Sequence, residues 1–237
     1  MAYTFGLLAL ALAGPVIAAP VDGVFFGNST TAVSSDFTGD GSEAAGWPAD
    51  SAWLSFDDLW SLNLNSLETG CNAETSTGQQ NSPDEVQAIK DGIASESKAT
   101  GVDDRFILAT IIQESHGCVR VQGTLSPGDA VKNPGIMQSH EGEFNCAEVG
   151  DSPCPAEKIT GMIHDGTAGT AKGRGLQQEV EAAEEFGGVT LAQKVYIAMR
   201  LYNSGDFSYE TGGDLSVGGA TSSYSSDIAN RLTGVVF

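Results

Sequence analysis

The chain has 237 residues, with 31 Asp and Glu against 11 Lys and Arg, for a net charge of −20. Nucleic acid needs basic patches on its partner, and an anionic membrane or wall attracts cations, so this charge argues against both kinds of electrostatic binding. The length suits one domain of ordinary size plus extra segments.

Met1 to Ala18 reads as a secretory signal peptide, with an apolar core over Phe5 to Val16 and small residues before a cut after Ala18. No second apolar run is long enough to span a bilayer, so the expected product is a secreted, extracellular, monomeric chain. Residues 19–46 are rich in Gly, Ser, Thr and Asp and read as a flexible acidic leader. It contains the sequon Asn28-Ser29-Thr30, a candidate glycosylation site. No Lys or Arg occurs before Lys90.

The four cysteines, Cys71, Cys118, Cys146 and Cys154, fit an oxidising compartment. Three pairings are possible. The favoured one joins Cys71 to Cys118 and Cys146 to Cys154, the second closing a short loop through Asp151-Ser152-Pro153. No Cys-x-x-Cys or His pairing at ligand spacing is present, so no metal site is expected.

Residues 47–81 form an N-terminal helical arm and linker. Ser55 caps a short helix, and Phe56, Leu59, Trp60, Leu64 and Leu67 recur at helical spacing on a face that must be buried. Trp47 and Trp53 add to that face, so it is read as packing on the main domain rather than binding sugar. The main domain covers 82–237. Ser82-Pro83-Asp84-Glu85 is a capping box with Pro at the first helical position, and Val86, Ile89 and Ile93 mark the buried face of a helix to about Ala99. A short turn leads to a second helix, capped by Asp103 and stopped by Gly117, which is apolar from Phe106 to Ile112 and so is expected to be buried all round.

Cys118 to Gln122 reads as a short strand and Gly123 to Pro134 as a loop. A short helix follows from Pro155. Gly166 to Gly175 is read as a flexible surface loop, because it lacks the strand and the Gly-Lys-Ser/Thr ending of a phosphate loop. Leu176 to Phe186 is a charged helix with an apolar stripe. Thr190 caps the next helix, and Tyr224 to Leu232 forms the last, with Asp227 and Arg231 spaced to pair.

Glu114 lies in the last turn of the apolar helix. Burial disfavours its charged form, and so does the negative end of the helix dipole. Both push its pKa up, which suits a group that must hand a proton to a leaving oxygen. The bland alternative is a helix-end ion pair.

Three segments carry a resemblance: Glu114-Ser115-His116-Gly117, Asn133-Pro134-Gly135-Ile136-Met137-Gln138, and Leu201-Tyr202-Asn203-Ser204-Gly205. Their order and approximate spacing resemble the goose-type lysozymes and the soluble lytic transglycosylases, where a Glu-Ser at a helix end precedes a Gly-Leu-Met-Gln turn and an Ala-Tyr-Asn-Ala-Gly segment. The resemblance implies an α+β, predominantly α, lysozyme-like fold with a small strand region beside a sugar-binding cleft. It implies cleavage of β-1,4 bonds between amino sugars of peptidoglycan, with Glu114 as general acid and no cofactor. Ser115, Gln138, Tyr202 and Asn203 would bind substrate and orient the acid, Tyr202 by reaching toward Glu114. Asp129 is the nearest match to a second catalytic carboxylate, with Glu141 and Glu143 as rivals. A carboxylate roughly 6.5–9.5 Å away would favour inverting hydrolysis, and its absence a self-cyclising product. A chitin- or chitosan-cleaving enzyme of the same fold is one alternative; an inactive secreted binding protein is another.

Overall fold

A computed structural model describes residues 33–126, 130–147, 152–205, 212–218 and 220–237 of the protein. The expected signal peptide, Asn28 and Asp129 lie outside them. The described chain is mostly helical, with one small antiparallel sheet.

The helix starts follow local capping chemistry. Helix α1 (Phe56–Thr69) begins where the Ser55 side chain accepts from the Asp58 N–H. Helix α2 (Pro83–Thr100) has the full capping box between Ser82 and Glu85, and ends at Gly101 in the left-handed conformation. Helix α3 (Asp104–Ser115) is capped by Asp103 and closed by His116, itself left-handed at φ 53°. Its residues from Phe106 to Ile112 are all buried, as a helix apolar at nearly every position requires, and Thr110 donates its hydroxyl to Phe106 O at 2.9 Å. It packs against α1, α2 and the last helix, α7 (Tyr224–Leu232).

After α3 the expected strand over Cys118 to Gln122 reduces to a single bridge between Ser76 and Val121. Regular pairing comes later, between β1 (Thr124–Leu125) and β2 (Lys132–Asn133), with Thr124 opposite Asn133 and Leu125 opposite Lys132. Helix α4 (Ala156–Ala168) packs along α2. It runs through Gly166, so the loop read from Gly166 starts later. That loop is tied down: the Thr170 hydroxyl donates to His140 O, and the Thr170 N–H to Gly173 O. Helix α5 (Leu176–Ala182) is shorter than expected, and tight turns follow it to Gly187. Helix α6 (Leu191–Ser204) is capped by Thr190 and packs on α5 and α7.

The core gathers the buried faces of all these helices, and Trp47, Trp53 and Trp60 belong to it. The Trp53 indole donates to the Tyr196 hydroxyl at 2.8 Å, inside the protein. The tryptophans therefore pack, as the arm reading holds.

The part of the leader from Val33 to Gly46 corrects a compositional expectation. It is bound to the domain by backbone groups: Ser35 N–H donates to Asn230 Oδ1, Phe37 N–H to Ser226 Oγ and Gly39 N–H to Asp214 Oδ1. Phe37 packs on Trp47. A polar, glycine-rich segment finds its stability in hydrogen bonds to partners distant in sequence, and no local pattern reveals those.

Two disulfides are present, Cys71–Cys118 and Cys146–Cys154. Beside them lies a buried ion pair between Glu85 and Arg120, each 2% exposed. The Glu85 carboxylate also accepts from Ser82 N–H at 2.7 Å and Cys154 N–H at 2.6 Å. Burial pushes its pKa up, but Arg120 and these N–H groups outweigh that and hold it below the usual range. This cluster joins the start of α2 to both disulfide-bearing segments.

Candidate functional site

The last turn of α3 brings Ser115 and Glu114 to the end of a buried rod. Ser115 is buried, and its hydroxyl lies within hydrogen-bond distance of the Ile111 carbonyl (3.0 Å) and the Ile136 carbonyl (2.8 Å). It thereby fastens the Gly135–Gln138 turn to the helix. The turn needs Gly135, whose φ is 81°, and it lies close to α4: a side chain at Gly166 would meet Met137 at 2.5 Å. The Gln138 amide is spent on the same region. Its Oε1 accepts from Thr124 N–H and its Nε2 donates to Gly135 O, each at 2.9 Å. So Ser115 and Gln138, expected on the substrate side, hold backbone to backbone.

Glu114 is partly exposed at one edge yet crowded by protein elsewhere. Burial raises its pKa to about 7, against a hydrogen bond from Tyr224 that lowers it. The Tyr224 hydroxyl, at the start of α7, donates to Glu114 Oε1. Oε2 accepts no hydrogen bond from any described residue. The partner is thus a neutral hydroxyl, and no helix-end ion pair forms among the described residues.

Tyr202 ends on the other side of the same turn. Its hydroxyl donates to Met137 O at 2.7 Å, so the direct contact with Glu114 belongs to Tyr224. Tyr202 is still close enough for the Glu114 charge to matter: burial pushes its pKa up, and Glu114, Glu179 and Asp165 push it further. Burial likewise raises the Tyr224 pKa, with Glu114 and Tyr202 adding to it. Glu114, Tyr202 and Tyr224 form one cluster, drawn from α3, α6 and α7.

Asn203 follows Tyr202, and its Oδ1 is buried without a hydrogen-bond partner among the described residues. Of the rival carboxylates, Glu141 pairs with Lys172 at 2.9 Å. The N–H groups of Glu143 and Phe144 donate to Asp165 Oδ2 at 2.7 and 3.1 Å, which anchors that loop on α4. Among the described residues, no three His, Cys, Asp or Glu side chains gather as a metal site would require.

No family model, curated protein or solved structure matches this chain.

Sequence reasoning missed Tyr224. A tyrosine opening a C-terminal helix carries no local signal, and its role appears once α7 lies against α3. The expected Asp227–Arg231 contact runs through a third residue: Arg231 Nε donates to Gln113 Oε1 at 2.8 Å, and Gln113 Nε2 to Asp227 Oδ2 at 3.4 Å. Gln113 precedes Glu114, so this chain of contacts also joins α7 to the end of α3.

Proposed function

We propose that the protein is a secreted glycosidase of lysozyme-like type, a muramidase or lytic transglycosylase, cleaving β-1,4 bonds between amino sugars of peptidoglycan. The observation that carries this reading is the Glu114 carboxyl, whose pKa is raised to about 7 by burial and which is held by a tyrosine rather than a cation. A carboxylic acid in that state keeps its proton near neutral pH and gives it to a glycosidic oxygen as the bond breaks. Tyr224 donates to Oε1, which leaves Oε2, without a hydrogen bond from any described residue, as the oxygen that carries the proton.

The supporting cast has separable roles. Tyr224 donates to the carboxylate that remains after proton transfer, so it stabilises the product side of that step. Tyr202 and Ser115 both hold the Gly135–Gln138 turn, one through Met137 O and one through Ile136 O, which keeps the turn in register with Glu114. For a hydrolase the resemblance assigns the second carboxylate to Asp129, with Glu143 as its rival; Glu141 is engaged by Lys172.

The test is product analysis on purified peptidoglycan beside chitin and chitosan oligomers. Soluble muropeptides from peptidoglycan support the reading. A reducing end marks hydrolysis and an anhydro end marks self-cyclisation. Cleavage of chitin or chitosan alone moves the assignment to that polymer, and inertness toward all three rejects turnover.

A further inference from the structure

Arg200, in the third turn of α6, is 0% exposed. Its Nη1 donates to the Thr221 carbonyl at 3.1 Å. Its Nε and Nη2 are buried without hydrogen-bond partners among the described residues. Burial pulls its pKa down, and no neighbouring carboxylate among the described residues opposes that shift. A cation in such a place is costly, and an apolar side chain would fill the same volume without that cost. Residues that break a local rule in this way mark places where position matters more than stability.

What Arg200 holds is the start of α7. The same Thr221 carbonyl accepts the Tyr224 N–H at 3.2 Å. Ser223, at the cap position, makes no side-chain capping bond and is already helical at φ −79°, ψ −8°. The first turn of α7 thus lacks the usual anchor of its own. It is tied to α6 instead, by Arg200 at Thr221 and by the Ser225 hydroxyl, which donates to Tyr196 O at 2.8 Å. Tyr224 is the first residue of that turn, and its hydroxyl bonds Glu114.

We propose that Arg200 is a positioning residue: through the Thr221 carbonyl it fixes the first turn of α7, and so sets the Tyr224 hydroxyl against the Glu114 carboxyl. Its consequence for catalysis rests on the reading of Glu114 as the general acid; its consequence for Glu114 itself does not. The groups facing Glu114 are Tyr224 from α7 and Tyr202 from α6. The Arg200 charge is not among the causes that shift Glu114. Arg200 therefore acts by contact rather than by field.

The experiment follows the Glu114 carboxyl by carbon-13 NMR titration in the full chain, the signal being identified by its loss in Glu114→Gln. Thermal melts confirm that each variant is folded. Tyr224→Phe removes the bond that lowers the Glu114 pKa, so its midpoint rises by about one unit. Arg200→Met is expected to raise the midpoint in the same direction, and Arg200→Met with Tyr224→Phe no further than Tyr224→Phe alone. Arg200→Lys keeps a donor within one bond length of the Nη1 position and is expected to titrate closer to the wild type than Arg200→Met does. A folded Arg200→Met with an unchanged midpoint overturns the proposal. So does a double variant whose shift is the sum of the two, or an Arg200→Lys that shifts the midpoint further than Arg200→Met. If Arg200→Met does not fold, Arg200→Gln, whose amide stops short of the Nη1 position, takes its place: a raised midpoint that adds nothing to Tyr224→Phe supports the contact, and an unchanged midpoint overturns it. No substrate is needed, so failure of the functional reading leaves this result standing or falling by itself.

Discussion

The Tyr224 hydroxyl donates to the Glu114 carboxyl across a sequence separation of 110 residues, and it is the one hydrogen bond among the described residues that the carboxyl receives. The bond lowers the Glu114 pKa while burial raises it, and burial wins. The balance places the midpoint where a proton is both kept and transferable.

Removing the hydroxyl tips that balance. Tyr224→Phe leaves the carboxylate without its donor, a loss of about 1.5–3 kcal/mol for a hydrogen bond to a charged group. The variant is expected to lose about tenfold or more in kcat, and the upper limb of its pH–rate profile moves to higher pH. A profile measured from pH 4 to 9 checks both, and an unmoved upper limb counts against the bond.

Stability should carry the same signature. Below pH 4.5 Glu114 is protonated in the folded and unfolded chains alike, and between 4.5 and about 7 the folded chain alone keeps the proton. Stability therefore falls as pH rises through that window, because the folded state binds more protons than the unfolded. The loss is on the order of 2–3 kcal/mol, given about 1.4 kcal/mol per pKa unit and some solvent access at the exposed edge. Glu114→Gln escapes it. Urea denaturation of both proteins is expected to show Glu114→Gln gaining on the wild type between pH 5 and pH 8.

The Glu85–Arg120 pair makes a prediction away from the site. Arg120→Met leaves a buried carboxylate with two N–H partners and no cation, and should cost about 3–5 kcal/mol. Replacing Glu85 by Gln in that background removes the stranded charge and should recover part of the loss. Melting temperatures of the two single variants and the double one give the coupling, and simple additivity would contradict a shared cluster.

Ser115→Ala tests whether the Gly135–Gln138 turn depends on the helix. The serine hydroxyl has one proton and lies nearer to Ile136 O, at 2.8 Å, than to Ile111 O, at 3.0 Å; its removal leaves Ile136 O unsatisfied at a cost of about 1–3 kcal/mol. Faster amide exchange at Met137 and Gln138, whose surroundings include that carbonyl, is the expected readout. Protection equal to the wild type would show that the turn does not depend on Ser115.

Legibility in the sequence followed locality. The Ser55, Ser82, Asp103 and Thr190 caps and the apolar run from Phe106 to Ile112 act within one turn, so helix starts and the buried helix could be read directly. Glu114 was legible because its position in that run already implies desolvation. Contacts that join distant segments were not: Tyr224 meets Glu114, Arg200 meets Thr221, and Ser35 meets Asn230 only once the helices pack. Ser115 adjoins Glu114 in the chain and Gln138 closes the turn fastened to it, but which of their atoms face backbone depends on the turn geometry that their own hydrogen bonds create.

The central claim is that Glu114 delivers the proton, and the release of soluble muropeptides from peptidoglycan, with reducing or anhydro ends, by wild type and Glu114→Gln between pH 4 and 8 tests it most directly. The account predicts wild-type activity that falls as pH passes about 7, and a Glu114→Gln rate lower by about two to four orders of magnitude in a protein of unchanged fold. Comparable release by the two proteins would contradict it.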